Sequence, residues 1–366
     1  MSAMLSAEQL QFKEAVSRFF DEVSPPSTVR AFVESEAPFA RDVWHQASAE
    51  LGLMGVHLPE EFGGAGFGAR ELGIVCEEMG RTLYTGPYFG SSVMASYALL
   101  FFGSEDAKAG HLPGFAAGDT IGVLALDSLD KEAFMGTLLE ADEMNRLSGR
   151  VPVLLGSADA DVVFALADGP GGIGLYQLLN NPNGLAMASR SGLDATRRLS
   201  ALELSNAPAE RLGNAQPPQM TNFFDHLCVA LAHEQIGGAQ ALFDSTVSYT
   251  RSRYQFGRPI GSFQALKHRC ADLLLELELA KSVVYQAAAC LDREEPASEL
   301  ASMAKAMSSE TYMNVARAAI QLRGGIGFTW EDNTHLWFKR AKSSEVFMGT
   351  PSYHRDRMLD HVRGAS

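Results

Sequence analysis

Apolar residues recur at helical spacing over the first third of the chain, in short runs between turn signals through the middle, and at helical spacing again to the end. Residues 5 to about 118 read as helices with short breaks. Ser6 followed by Gln9 is a capping signal for a first helix that places Leu10, Phe12, Val16, Phe19 and Phe20 near one side. A glycine loop at Gly63, Gly64, Gly66 and Gly68 interrupts the pattern, and Glu71 to Gly80 resumes a helix closed by Gly80. The apolar run from Val93 to Gly103 is well short of the ~18 residues a bilayer span needs, so it reads as a buried helix.

Between Thr120 and about Gly213 the runs IGVLAL, GRVPVLLG, DVVFALA, GIGLYQLL and RRLSALELS alternate with Gly, Asp and Asn, the pattern of a small antiparallel sandwich or barrel. Helices return from Pro217. Asn222 to Arg251, Ser262 to Leu291 and Ala297 to Leu322 carry apolar residues at helical spacing, for example Leu266, Cys270, Leu273, Leu274, Leu277 and Val284. With a shorter fourth helix near the end, a four-helix bundle is the economical packing. The expected fold is mainly α with a central β domain: a helical domain over 1–118, a β domain over 119–215 and a bundle over 216–366.

Charge narrows the partners. A net charge of −14 over 366 residues argues against nucleic acid or an anionic membrane, so a polyanionic ligand must meet a local basic pocket. The four cysteines (Cys76, Cys228, Cys270, Cys290) show no CxxC spacing, which disfavours a zinc site or a disulfide framework and fits a reducing cytoplasm. The N-terminal residues lack the basic start and apolar run of a targeting peptide.

Local charge inverts between Arg251 and Cys270, where Arg251, Arg253, Arg258, Lys267 and Arg269 surround Phe256 and Gly257. Guanidinium forks suit phosphate oxygens and Phe256 suits a flat ring; a solvated helix-loop-helix corner is the plainer alternative. The glycine loop at 63–68 is no competitor for phosphate, because it lacks a Lys-Ser/Thr ending and follows no strand. A second informative stretch ends the third long helix. Gly324, Gly325 and Gly327 permit close backbone approach, and Gln321 and Arg323 before them can reach a ligand.

These motifs together resemble the acyl-CoA dehydrogenase family, flavoproteins that oxidise acyl thioesters between the carbons alpha and beta to the carbonyl. R-x-x-F-G falls at Arg253 to Gly257, F-Q at Phe263 and Gln264, and Q-x-x-G-G at Gln321 to Gly325; LGLMGVHLPEEFGG and EEMGR are similar too. The resemblance covers nearly the whole chain. It implies FAD, with Arg253 on the pyrophosphate, Phe256 near the adenine, and Gln264, Gln321, Gly324, Gly325 and Thr350 lining a dinucleotide seated mainly in a neighbouring subunit. It also implies a homo- or heterotetramer, an acyl-CoA substrate, and an electron-transferring flavoprotein or oxygen as acceptor.

The family's chemistry needs a base for the alpha proton, and here the chain departs. The usual Glu before Gly-Thr falls on Met348, in EVFMGTPSYHRDR, and the second known location falls at about Leu227. Glu234, seven residues on along the same helix face, is the candidate base, although two turns displace it by roughly ten ångströms. A structural Glu bonding a neighbouring helix is the other reading, and Asp225 falls on roughly the opposite face. The flavin-ring side departs as well: Val153 and Leu155 stand where the family's W-x-T/S would be, and Leu126, Asp127 and Ser128 offer only backbone groups. Gly90, Ser91 and Ser92 are candidates to shape an acyl tunnel. The lost Glu together with the lost Trp-x-Thr points to one half of a two-subunit enzyme, similar to the heteromeric branch in bacterial steroid side-chain catabolism. The alternatives are a self-sufficient homotetramer with an unconventional base, a related flavoprotein oxidase or monooxygenase, and an assembly subunit without flavin.

Overall fold

The computed structural model describes residues 5–126, 139–156, 159–179 and 183–363. Helices open the chain: α1 (Ala7–Val23), α2 (Pro26–Glu34), α3 (Arg41–Leu51), α4 (Ala69–Thr82), α5 (Ser96–Phe102) and α6 (Glu105–Ala117). Strands follow as β1 (Gly122–Ala125), β2 (Leu139–Ala141), β3 (Arg146–Leu155), β4 (Val162–Ala167), β5 (Gly174–Leu178), β6 (Leu185–Arg190) and β7 (Leu199–Asn214). The chain closes with α7 (Pro217–Ser252), a hairpin of β8 (Tyr254–Gln255) and β9 (Arg258–Pro259), then α8 (Gln264–Leu291), α9 (Ser298–Arg323), α10 (Thr334–Val346) and α11 (Pro351–Arg363). By compactness these elements group into two units: residues 1–31, 73–84 and 228–366 in one, 32–72 and 85–227 in the other.

The second unit holds the sheet. Its strand order is β1-β4-β5-β7-β3-β2, with β6 on β7. Among the described residues, β1 runs parallel to β4 and the other paired strands of this sheet are antiparallel, with one further parallel bridge between Glu140 and Asp168, so the sheet is mixed where a purely antiparallel one was expected. The 16-residue β7 pairs with β3 and β6 along its first part and with β5 along its last, so one strand spans both halves. The far edges then meet: Ala141 N–H donates to Asp168 O at 2.7 Å and Asp168 N–H to Leu139 O at 2.9 Å, tying β2 to the end of β4. The enclosed core includes Leu147, Val151, Leu154, Tyr176, Leu202 and Leu204. Edge contact of this kind satisfies backbone groups that an open sheet would leave exposed.

In the first unit, α1 begins with the expected capping box: Ser6 Oγ accepts from Gln9 N–H at 3.1 Å and Ser6 N–H donates to Gln9 Oε1 at 2.9 Å. Val16, Phe19 and Phe20 are buried as the spacing implies, but Leu10 is half exposed. Gly80 does not close α4, which continues to Thr82. Its role is close approach to α7: a Cβ on Gly80 would lie 1.9 Å from Glu234 O, and one on Gly237 would lie 1.8 Å from Glu77 O. The bundle core joins Leu242 and Phe243 of α7, Leu273 and Leu277 of α8, Tyr312, Val315 and Ala316 of α9, and Ala341 of α10. Leu274 faces outward instead, with Leu275 and Leu279. The expected short fourth helix is two helices, α10 and α11, because Met348 and Gly349 take left-handed backbone and Pro351 restarts the helix.

Candidate functional site

The R-x-x-F-G stretch is a projecting arm of the first unit. Arg253 N–H still donates to Tyr249 O at 2.9 Å, the last echo of α7, and Ile260 N–H donates to Arg253 O at 2.8 Å to close the hairpin. Phe256 and Gly257 form its two-residue turn with φ of 55° and 77°. Left-handed backbone at both turn positions matches the right-handed strand twist, but it strains a bulky residue such as Phe. Phe256 is nonetheless 90% exposed. Arg258 is occupied locally, its guanidinium 4.0 Å from the Phe263 ring centroid, while Arg253 and Gln264 face solvent.

The glycine turn lies at the same end of the bundle. α9 stops at Arg323, Gly324 adopts φ 65°, and a 3-10 turn runs from Gly324 to Phe328. Gln321, Gly324 and Gly325 are exposed. A Cβ built on Gly257, Gly324 or Gly325 meets nothing within 4 Å, so the backbone there is open to an approaching molecule. Arg323 behaves otherwise than its sequence position suggested: it turns inward and bonds Ser245, Thr246 and Asp332. An exposed guanidinium, an exposed ring and open glycines are the chemistry a dinucleotide's diphosphate and adenine require, so these residues fit that half of FAD.

The base turn is different. Met348 is fully buried with φ 58°, its carbonyl held by His354 Nε2 at 2.9 Å. Lys305, also fully buried, donates to Ser344 O at 3.0 Å, Gly349 O at 3.2 Å and Ser309 Oγ at 2.9 Å. Thr350 remains exposed just beyond. The second location, Leu227, is fully buried on α7. Neither side chain can take a proton.

Glu234 lies in a buried ion pair with Arg340 of α10, 2.5 Å apart with both side chains 3% exposed. Next to it on α7, the His233 ring stands 3.9 Å from Glu77, too far for a hydrogen bond, while Lys13 Nζ and Tyr285 Oη each donate to Glu77 at 2.7 Å. Burial pushes the Glu77 carboxyl up, and the His233 ring and the Lys13 ammonium outweigh it, holding Glu77 at about 2. Burial first, then the Glu234 charge, pushes the Cys76 thiol well up. Asp225 is buried on the same uninterrupted helix.

In the second unit, Leu126 and Leu155 are buried and Val153 is half buried, so the ring side offers apolar side chains; Asp127 and Ser128 lie outside the described residues. Gly90, Ser91 and Ser92 belong to a buried π-helical segment, Phe89–Ala95. Ser91 Oγ accepts from Gly122 N–H at 3.0 Å and Ser92 Oγ donates to Met54 Sδ at 3.4 Å, so both hydroxyls are engaged internally. Ser96 Oγ donates to Ser92 O at 2.8 Å, which leaves it to accept from His57 Nε2 at 3.0 Å. Burial, then the charge of His226, lowers His57 to about 3, so it is a neutral packing histidine.

Sequence reasoning missed Lys305 and Arg340. The visible signal for Lys305 was its alanine flanks, Ala304 and Ala306, on a helix face of small residues. For Arg340 there was none, because its partner is 106 positions away.

The family models for the N-terminal and C-terminal domains of acyl-CoA dehydrogenases match residues 6–119 and 218–362. Acyl-CoA dehydrogenase IpdE2 of Mycolicibacterium smegmatis is 32% identical over 358 residues, covering 98% of this chain and 100% of that protein. The chain belongs to the acyl-CoA dehydrogenase family. IpdE2 of Mycobacterium tuberculosis is 34% identical over 345 residues, 94% of each chain. Among solved structures, the ChsE4-ChsE5 complex of M. tuberculosis matches with a TM-score of 0.90 and 26% identity over 99% of both chains. A variant of the Tcur3481-Tcur3483 steroid ACAD matches with a TM-score of 0.89 and 28% identity over 98% of both. As an acyl-CoA dehydrogenase family member, the chain is a flavin-dependent oxidoreductase acting on CH–CH groups.

Proposed function

We propose that this chain is the base-lacking subunit of a heteromeric acyl-CoA dehydrogenase. In that assembly it supplies Arg253, Phe256, Gln264, Gln321, Gly324, Gly325 and Thr350 to an FAD whose ring, and whose catalytic base, sit in a paralogous partner. The carrying observation is the pairing of a buried Met348 at the base's place with a fully exposed dinucleotide arm. An aromatic at 90% exposure on strained backbone gains little from its edge contact with the Phe263 ring, 6.2 Å between centroids, and a neighbouring subunit's cofactor gives it a purpose. The two-protein complexes among the structural relatives support such an assembly, and the steroid enzyme among them supports a bulky acyl-CoA as substrate class.

Glu234 is, in this reading, a helix lock. Arg340 Nη1 donates to Glu234 Oε1 and ties that carboxyl group to α10, away from the work of a base. Arg253 holds diphosphate by charge-assisted hydrogen bonds, Phe256 covers the adenine, and the open glycines let backbone N–H groups approach. Flavin, when bound, supplies the hydride acceptor. A cytoplasmic location and an electron-transferring flavoprotein as acceptor complete the proposal.

The test is the visible absorption spectrum of the chain purified alone and after co-expression with a paralogous acyl-CoA dehydrogenase chain. A colourless chain that acquires flavin only in the complex, where acyl-CoA bleaches it, is the expected result. Stoichiometric flavin in the lone chain, bleached by acyl-CoA, would overturn the proposal.

A further inference from the structure

The two pieces of the exposed arm come from different parts of the sequence, Arg253 to Gln264 after α7 and Gln321 to Gly325 at the end of α9, and no covalent link fixes their spacing. One buried side chain joins them. Arg323, 7% exposed, donates from one terminal nitrogen to Thr246 Oγ1 at 2.7 Å, from the other to Ser245 Oγ at 2.6 Å, and from Nε to Asp332 Oδ2 at 3.2 Å. Its guanidinium also lies 5.3 Å from the centroid of the Tyr249 ring. Asp332 Oδ1 in turn accepts from Thr334 N–H at 2.7 Å, which fixes the first turn of α10.

Each partner has a place relative to the arm. Ser245 and Thr246 lie on the α7 stem about two turns before Arg253, roughly 10–12 Å along the axis. Tyr249 provides the carbonyl that anchors Arg253 N–H. On its own helix, Arg323 is the residue immediately before Gly324. All three donor directions of the fork are used, so its plane cannot rotate without breaking bonds, and the start of the glycine turn cannot slide against the hairpin's stem. Burying a cation here is costly compared with an apolar residue of similar volume, which points to geometry, not stability, as what the residue provides.

We propose that Arg323 is a positioning residue for the dinucleotide: it sets the spacing between the Gly324–Gly325 turn and the Arg253 hairpin before the cofactor arrives. The inference rests on the reading that these two pieces form one dinucleotide surface. A site assembled from two segments loses affinity when either is free to drift, because binding must then order it.

The experiment titrates FAD into the flavin-stripped complex with the partner, following flavin fluorescence, and measures amide exchange over residues 324–328 in the FAD-free complex. R323Q is expected to weaken FAD at least tenfold and to speed exchange across that turn, with R323K restoring part of both. S245A removes one of the three bonds while Arg323 keeps Asp332 as its counter-charge, and is expected to weaken FAD about threefold with a smaller fall in melting temperature than R323Q. Wild-type FAD affinity in S245A together with wild-type affinity in R323Q, or with an R323Q that does not fold, overturns the proposal. R253A in the same titration separates the two levels: wild-type affinity there would sink the dinucleotide surface itself, whereas weakened binding in R253A with none in the Arg323 and Ser245 variants would sink only the positioning role.

Discussion

The arm around Arg253 and the turn around Met348 both derive from stretches that carry the family's chemistry, yet they are built in opposite ways. The arm is exposed, strained at Phe256 and rich in groups that do little for its own chain. The turn is buried, held by Lys305 and His354, and carries a thioether where a carboxylate would act. Strained backbone with exposed polar groups persists where something outside the chain uses it. Buried backbone whose carbonyls are held by side chains of the same chain persists for the fold alone. On the half-site reading, the contrast separates what the chain would contribute to a reaction from what it keeps only as structure.

Four expected outcomes break or sharpen that contrast. The largest concerns the lock at Glu234. E234A leaves Arg340 buried without its carboxylate and should cost about 3 to 5 kcal/mol in urea unfolding. A stable E234A complex that has lost turnover would instead return Glu234 to the role of base.

Next is the acid sensitivity of the buried cluster. Glu77 is held at about 2 in the folded chain against 4.5 for an unperturbed carboxyl, so its contribution is complete above pH 4.5 and fades as the pH falls toward 2. The shift corresponds to roughly 3 kcal/mol. Unfolding curves for the native protein and E77Q should therefore converge as the pH is lowered from 5 toward 3. Curves that stay parallel would mean that Glu77 titrates normally.

On the arm the effects move from stability to binding. R253A should weaken FAD in the complex about ten- to a hundredfold, the range for losing a charge-assisted hydrogen bond or two. Its melting temperature should stay where it was, since the guanidinium is exposed. The smallest effect is F256G, which relieves left-handed backbone at a residue with φ 55° and should leave stability unchanged or raise it by about 1 kcal/mol. It should lower FAD affinity at the same time. A fall in stability with unaltered affinity would make Phe256 a structural residue and erase the contrast.

The parts of the fold written in local pattern were legible. The Ser6–Gln9 cap, the apolar runs of β1, β3, β4 and β5, and the long helices α7, α8 and α9 all fall within a few residues of where periodicity places them, whereas β7 begins in its run and continues nine residues beyond it, to Asn214. Less legible was whatever depends on partners distant in sequence. Gly80 looks like a helix terminator because glycine favours C-caps, and only the α4–α7 crossing shows that it makes room for Glu234 O. The short strands β2 and β6 carry no β-branched or aromatic residue, and β6 is largely exposed, so neither signals itself. Leu274 fits the same helical stripe as Leu273 and Leu277 yet faces outward with Leu275. At the candidate site, the absence of a carboxylate at Met348 and Leu227 was readable directly from the residues. The inward turn of Arg323 was not, because its partners Ser245 and Thr246 are more than seventy residues away on another helix.

The most direct test of the half-site account is native mass spectrometry of this chain alone and in complex with its partner, counting FAD per protein chain. The half-site account predicts no FAD on the lone chain and one FAD for each pair of unlike chains in the complex. One FAD on every chain, or a flavin-loaded assembly of this chain by itself, would contradict it.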